Sequence, residues 1–209
     1  MKLKKILKSI FNKTSNYSQA GQDLFAVELF GDYGTYVDIG AGEPIRLNNT
    51  YLLEVKNNWK GISIDYGDHD QKKIKELKKL WNDCNERKNK IYWADALTFD
   101  YKIALKENNI KYDIDFLSCD IDPQENTFLA LKKIINDGIR PKYIAFETDF
   151  YREKINYSKL AYEFLKPYGY KIGVKDVYSN LKKNKIFETW FISDAVNFNT
   201  IEYFNWVKK

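Results

Sequence analysis

Acidic side chains stand at the ends of five short apolar runs in the sequence. The runs are Tyr36–Ile39, Gly61–Asp65, Lys90–Ala94, Ile114–Cys119 and Tyr143–Glu147. The acidic residues within three positions of their carboxyl ends include Asp38, Asp65, Asp95, Asp120, Asp122, Glu147 and Asp149. If these runs are parallel strands, their carboxyl ends meet at one edge of a sheet, which is where ligands bind. Carboxylates gathered at one edge repel one another. The pattern therefore predicts a ligand, a metal ion or many hydrogen-bond donors at this edge.

The first run leads into a glycine-rich loop with the sequence DIGAG at positions 38–42. A proline and an isoleucine follow at positions 44 and 45, so the loop matches neither a dinucleotide fingerprint nor a phosphate loop. A glycine loop that lacks phosphate chemistry and has an acidic neighbour suits a cationic or zwitterionic ligand, such as S-adenosylmethionine. We expect Gly40, Ala41 and Gly42 to contact its amino acid moiety. We expect the acidic side chain of Asp38 to interact favourably with the ammonium group of S-adenosylmethionine.

The next two strand ends offer partners for the nucleoside of such a ligand. Asp65 ends the second run, where a carboxylate accepts hydrogen bonds from both ribose hydroxyls in related nucleotide sites. Asp95 follows the third run and could accept a hydrogen bond from the adenine amine. The backbone N–H of Ala96 would then reach a ring nitrogen of adenine.

The fourth and fifth strand ends are candidates for the reacting group. Methyl transfer to oxygen needs a base for the hydroxyl proton, and Asp120, Asp122, Glu147 or Asp149 could provide it. The same oxygen atoms could hold Mg²⁺. A third interpretation is that Asp122 is only the N-cap of the helix that follows. The spacing of the residues does not separate these alternatives.

The elements that position these residues alternate along the chain. Helical patterns cover Asn49–Asn57, His69–Trp81, Tyr101–Asn108, Asn126–Asn136 and Asn156–Leu165, and two further strand patterns, Tyr170–Tyr178 and Ile186–Ser193, flank a polar turn. Alternating strands and helices indicate a parallel sheet with helices on both faces. The last two strands indicate an antiparallel hairpin. We therefore predict an α/β fold, with the seven-stranded, mostly parallel sheet of the Rossmann-like class I methyltransferases.

The composition limits the class of protein. The chain has 209 residues, of which 44% are hydrophobic, which is enough for the core of one domain. Lysine and arginine total 34 and aspartate and glutamate 29, and the resulting charge of +5 is too small to argue for nucleic-acid binding. We therefore expect no nucleic-acid partner. Two cysteines form no disulfide framework, and no apolar run approaches the roughly 20 residues that span a bilayer, so we expect a cytoplasmic protein.

The N-terminal segment has its own pattern. Its apolar residues recur at the spacing of one helix face, and lysines surround them: Leu3, Ile6, Leu7, Ile10 and Phe11. Such a helix either packs on the domain or lies on an anionic membrane surface, with residues 1–13 touching the inner face of the membrane. We predict a basic N-terminal arm over residues 1–17 and a methyltransferase domain over residues 18–209.

Several segments together resemble the FkbM family of S-adenosylmethionine-dependent methyltransferases. They are SQAGQD at 18–23, GTYVDIGAGEP at 34–44, NNTYLLE at 48–54, WKGISID at 59–65, IDFLSCDID at 114–122 and YIAFE at 143–147. The sequence departs from the family where Asp65-Tyr66 replaces Glu-Pro and where Asp122-Pro123 replaces Glu-Gly. The resemblance implies that Gln19, Gln22, Asn49, Tyr66 and Asp120 also bind the cofactor.

The resemblance also implies a function. The expected activity is methylation of a sugar hydroxyl in a glycan, or of a small metabolite, with S-adenosylmethionine as the methyl donor. Two alternatives remain at this point. One is a Rossmann-like enzyme that binds a nucleotide or NAD, and the other is a methyltransferase-like module that binds a partner without catalysis, which Pro123 favours.

Overall fold

The computed structural model describes residues 17–66, 71–148, 155–178 and 185–202. The predicted N-terminal helix and Asp149 lie outside these ranges. Within them, no helix combines the length and the apolar character needed to cross a membrane.

In the described ranges, the fold is built around one sheet of eight strands. The strands are β1 (Thr35–Ile39), β2 (Lys60–Asp65), β3 (Lys90–Trp93), β4 (Phe116–Cys119), β5 (Tyr143–Glu147), β6 (Tyr170–Tyr178), β7 (Ile186–Ser193) and β8 (Ile201–Glu202). Their order across the sheet is β3-β2-β1-β4-β5-β7-β6-β8. Strands β1 to β5 are parallel, and β7 runs antiparallel to both β5 and β6. The predicted α/β fold with its antiparallel hairpin is therefore confirmed.

The strand count is one higher than predicted. The additional strand, β8, has two residues and pairs in parallel with β6, where Ile201 lies beside Val174. A strand of two residues is too short to show the alternation by which strands are recognised in a sequence.

Helices lie on both faces of the sheet. They are α1 (Gln22–Phe30), α2 (Tyr51–Asn57), α3 (Gln71–Asp83), α4 (Tyr101–Glu107), α5 (Gln124–Asn136) and α6 (Tyr157–Leu165), and a short 3₁₀ turn, Lys166–Tyr168, follows α6. Helices α4, α5 and α6 pack on one face, called here the α5 face. Helices α1 and α2 pack on the opposite face, called here the α1 face.

The strands divide their side chains between the two faces, because neighbouring residues in a strand point in opposite directions. Val37 and Ile39 of β1 pack on the α5 face, and Tyr36 packs on the α1 face. Asp38 therefore belongs to the α1 face. The same alternation assigns six more polar residues near this edge of the sheet to the α1 face: Ser63, Asp65, Ser118, Asp120, Glu147 and Glu188.

Candidate active site

The first part of the candidate site is the loop after β1, residues 40–44, called here the glycine loop. Gly40 has a φ of +80°, and a Cβ at this position would lie 1.7 Å from the carbonyl oxygen of Asp120. Only glycine fits so close to the end of β4. The Gly40 N–H donates to the carbonyl of Ile64 (2.9 Å), and the Gly42 N–H donates to Asp65 Oδ2 (2.8 Å). The ends of β1, β2 and β4 are therefore joined at this loop.

Side chains also hold the carbonyl groups of the glycine loop. Asn48 Nδ2 donates to the carbonyls of residue 41 at 2.9 Å and residue 43 at 3.0 Å. Trp81 Nε1 donates to the Gly42 carbonyl at 2.8 Å, and Arg87 Nη1 donates to the Pro44 carbonyl at 3.1 Å. Four consecutive carbonyl groups are thus bonded to side chains, so the loop keeps its shape without a ligand.

Arg87 is the centre of this arrangement, although it was not among the residues predicted for the site. Its side chain is buried, its Nε lies 2.6 Å from Glu54 Oε2, and its guanidinium lies 4.7 Å from the centre of the Trp81 ring. Arg87 also donates to Asn48 Oδ1 (2.9 Å) and Thr50 Oγ1 (3.1 Å). Arg87 lies in the polar segment NDCNERKNK, which has the composition of an exposed loop. Its burial follows from tertiary contacts, which local composition does not show.

Asp38 lies beneath the glycine loop and is buried. Its Oδ2 accepts a hydrogen bond from Thr50 Oγ1 at 2.8 Å. Burial raises the pKa of Asp38 to about 6, against the opposing effects of the Thr50 hydrogen bond, the Arg87 charge and a hydrogen bond from Ser118. Asp38 therefore fixes α2 and β4 to β1, and its predicted contact with an ammonium group stays a prediction.

Asn49 has an unsatisfied atom on the same face. Its Nδ2 donates to Ser118 Oγ at 3.0 Å, while its Oδ1 is buried and has no hydrogen-bond partner among the described residues. A buried acceptor without a donor costs about 1–3 kcal/mol. The position therefore suits a ligand that carries N–H groups, as the ammonium group of S-adenosylmethionine does.

The two candidate nucleoside partners differ in their surroundings. Asp65 is half-buried and oriented by the Gly42 N–H, whereas Tyr66 beside it is 63% exposed. Asp95 is exposed, and its Oδ1 accepts a hydrogen bond from the Leu97 N–H at 2.8 Å. Ala96 is buried, and its carbonyl accepts a hydrogen bond from the Tyr101 hydroxyl at 2.9 Å. The turn after β3 is therefore a fixed structure at the same edge as Asp65.

The two glutamines of the SQAGQD segment have different environments. Gln19 is half-buried, whereas Gln22 is buried and donates from Nε2 to Glu188 Oε1 at 2.8 Å. Trp190 Nε1 donates to Glu188 Oε2 at 2.6 Å. Glu188 is a residue that the sequence analysis missed, because the alternation of β7 alone does not show which strand it will face. Its partner in the register is Glu147 of β5.

The second part of the candidate site is the turn after β4, residues 120–123, called here the β4 turn. Asp120 is half-buried and Asp122 is exposed, and the peptide bond between Asp122 and Pro123 is cis. Thr127 Oγ1 holds the turn, because it donates to the Ile121 carbonyl (2.5 Å) and accepts from the Ile121 N–H (3.0 Å).

The N-cap interpretation of Asp122 is wrong. Helix α5 begins at Gln124, two residues before the predicted start, and Pro123 is its N-cap residue. Glu147, the third candidate base, is buried at the end of β5. Within the described ranges, no group of three or more acidic, histidine or cysteine side chains is placed to hold a metal ion.

Comparisons with known proteins bear on the fold. No protein-family model matches the sequence, and no curated protein matches it. Solved structures do match. The methyltransferase domain of METTL16 superimposes with a TM-score of 0.56 at 16% identity, over 82% of this chain and 65% of that chain. The chain has a methyltransferase fold.

Two further structures extend this likeness. An rRNA methylase from Streptococcus thermophilus matches with a TM-score of 0.51 at 11% identity, over 82% of this chain and 93% of that chain. The small RNA methyltransferase HEN1 matches with a TM-score of 0.53 at 12% identity, over 87% of this chain. The present chain spans only 25% of the HEN1 chain.

These neighbours correct one expectation. The small net charge led us to expect no nucleic-acid partner, and that expectation is contradicted, because RNA methyltransferases are among the structures that share this fold. Net charge sums over the whole surface, so it does not report on the local surface that meets a substrate. The resemblance to the FkbM family stays a prediction.

Proposed function

We propose that the chain is an S-adenosylmethionine-dependent methyltransferase related to the FkbM family, acting on a sugar hydroxyl. The observation that carries this proposal is the strand order at the edge of the sheet between β1 and β4. Strands β2 and β3 lie on one side of this point and β4 and β5 lie on the other, so the order of the strands reverses there. Such switch points are the ligand sites of open α/β sheets. The glycine loop, Asp65, Asn49 and the β4 turn all lie at this one.

The residues at this edge fit the cofactor chemically. Asn49 Oδ1, which accepts no hydrogen bond from any described residue, is an acceptor for the ammonium group, and Asp65 offers a carboxylate for the ribose hydroxyls. Asp95 and the Ala96 backbone follow β3, on the far side of β2 from the glycine loop. When bound, S-adenosylmethionine would supply an electrophilic methyl group.

The chain's own part in the reaction is to orient the acceptor and remove its proton. A sugar hydroxyl is a poor nucleophile until a base accepts its proton. Asp122 is exposed at the end of β4 and Glu147 is buried at the end of β5, so these two carboxylates approach the acceptor from neighbouring strands. The backbone carbonyl oxygen of Asp120 lies against Gly40 of the glycine loop.

Binding measurements test the proposal first. We expect calorimetry to detect S-adenosylmethionine and S-adenosylhomocysteine but not NAD. Binding of NAD alone would instead support the dinucleotide-enzyme alternative. Binding of the cofactor without methyl transfer to any acceptor would support the non-catalytic module.

Methyl transfer from labelled cofactor then identifies the acceptor. The panel should contain glycans and small sugar metabolites, which the FkbM resemblance favours. It should also contain RNA, which is favoured by the RNA methyltransferases among the structural neighbours and which carries a 2′-hydroxyl on every ribose. Matched DNA oligonucleotides, which lack that hydroxyl, are the control for transfer to the ribose.

A further inference from the structure

The side-chain N–H₂ group of Gln124 is buried next to the candidate site. Gln124 is 2% exposed, and its Nε2 has no hydrogen-bond partner among the described residues. It is the first residue of α5 and directly follows the β4 turn. Buried donors in folded proteins are normally bonded, so an unbonded one at the edge of a ligand site calls for a ligand.

The direction of the side chain follows from its place on the helix. Gln124 begins the buried face of α5, which continues through Thr127, Leu131 and Ile134 against the sheet. Side chains of a helix tilt towards its N-terminus. The Gln124 amide therefore points along the sheet-facing side of α5 towards the carboxyl edge of the sheet.

The surroundings of this edge are different on its two faces. The carboxylates Asp38, Asp65 and Glu147 belong to the α1 face, whereas Ala96 and Ile121 pack with the apolar cluster of the α5 face. Gln124 lies on this apolar side. A flat, apolar ring with hydrogen-bonding atoms on its rim fits such a place better than an ammonium or a sugar does.

The donor and acceptor of the Gln124 amide match the hydrogen-bonding edge of adenine. A glutamine side chain carries a donor and an acceptor in one plane, and this pair matches the ring nitrogen and amino group on an edge of adenine. We infer that Gln124 binds the adenine of the nucleoside ligand, with Nε2 donating to a ring nitrogen. The inference rests on the proposed function, because S-adenosylmethionine supplies that adenine.

Calorimetry with S-adenosylhomocysteine tests the contact without a methyl acceptor. Gln124→Met keeps the length of the side chain and removes the donor, so we expect affinity to fall by about tenfold. Leu131→Met places the same side chain two turns further along the buried face and should leave affinity unchanged. Equal affinities of wild type and Gln124→Met would overturn the inference. Absence of binding to wild type would instead overturn the proposed function, and this inference with it.

Two ligand analogues sharpen the test. The 1-deaza and 7-deaza analogues of S-adenosylhomocysteine each lack one ring nitrogen beside the amino group. We expect one of these analogues to bind wild type about tenfold more weakly than unmodified S-adenosylhomocysteine does. The same analogue should bind Gln124→Met no more weakly than unmodified S-adenosylhomocysteine binds that variant. If neither analogue shows a loss that disappears in the variant, Gln124 does not bind a ring nitrogen there.

Thermal unfolding separates a ligand-binding amide from a structural one. Removal of an unsatisfied buried donor does not destabilise the fold, so Gln124→Met and Gln124→Leu should keep or raise the Tm of the ligand-free protein. Thr127→Val lies on the same helix face but loses two hydrogen bonds to Ile121, so its Tm should fall by several degrees. A comparable fall for both Gln124 variants would show that the amide is structural and would overturn the inference.

Discussion

The glycine loop and the β4 turn lie side by side at the edge of the sheet, yet they are built in opposite ways. In the glycine loop, side chains of Asn48, Trp81 and Arg87 bond four consecutive carbonyl groups. The β4 turn has Asp122 exposed, and it is followed by Gln124, whose Nε2 is buried and has no hydrogen-bond partner in the part of the chain that the structure describes. One region therefore maintains the shape of the edge, while its neighbour presents polar groups to whatever binds there.

The largest expected effect is on the chemistry of the β4 turn. A base acts mainly in the transition state, so Asp122→Asn should lower turnover by roughly 10²–10⁴-fold. Its affinity for S-adenosylhomocysteine should stay nearly unchanged. Single-turnover methyl transfer and calorimetry measure the two quantities. Glu147→Gln is the matched variant on the next strand, and full activity of Asp122→Asn with an inactive Glu147→Gln would assign the base to β5.

Substitutions of the side chains that hold the glycine loop should instead change the free energy of unfolding. Arg87→Met removes one partner of a buried ion pair and leaves the Glu54 carboxylate buried, which typically costs about 3–5 kcal/mol. Denaturant unfolding measures the free energy of unfolding. Lys88→Met changes an exposed neighbour and should alter that free energy by less than about 0.5 kcal/mol. A change of similar size in both variants would contradict the central role of Arg87.

Asp65 bonds the glycine loop and is also the predicted partner of the ribose. Two substitutions at this position should therefore weaken cofactor binding to different extents. Asp65→Ala removes the acceptor for the Gly42 N–H together with the predicted ribose contact, and we expect cofactor binding to weaken by about 1–3 kcal/mol. Asp65→Asn keeps an oxygen for Gly42 and should lose less. Unchanged calorimetric affinity in Asp65→Ala would exclude the ribose role.

The most gradual expected effect is the dependence of stability on pH. The pKa of Asp38 is raised to about 6 in the folded protein, so between about pH 4 and 6 the folded state binds more protons at this group than the unfolded state does. The contribution of Asp38 to stability is therefore full below about pH 4 and is lost as the pH rises through 6. The slope is at most about 1.4 kcal/mol per pH unit.

A matched variant isolates that slope. Asp38→Asn does not titrate, so the difference between the unfolding free energies of wild type and variant should change with pH between 4 and 6 and be constant above about pH 7. A difference that stays constant across the whole range would show that Asp38 titrates at its ordinary pKa.

The sequence predicted most of the sheet, while its assignments of site residues stay predictions. The bounds of β5, β6 and β7 match the predicted runs, because each run is a continuous apolar or alternating segment between clear turn signals. Helix α1 was missed, because its sequence QDLFAVELF has apolar residues on several sides and shows no polar face. Arg87, Glu188 and Gln124 were missed for another reason. Their importance depends on burial beside residues far away in the chain, which no local pattern records.

The position of β4 has a consequence for the protein as it is made. Thr35 and Asp115, 80 residues apart, exchange hydrogen bonds where β1 and β4 begin to pair. At about 5–20 residues per second, a ribosome needs roughly 4–16 s to synthesise that interval. During this time β1 and its glycine loop exist without the strand against which Gly40 packs. The binding edge is therefore completed only after more than half of the chain has been synthesised, and a ligand can stabilise only those chains in which β4 has already joined the sheet.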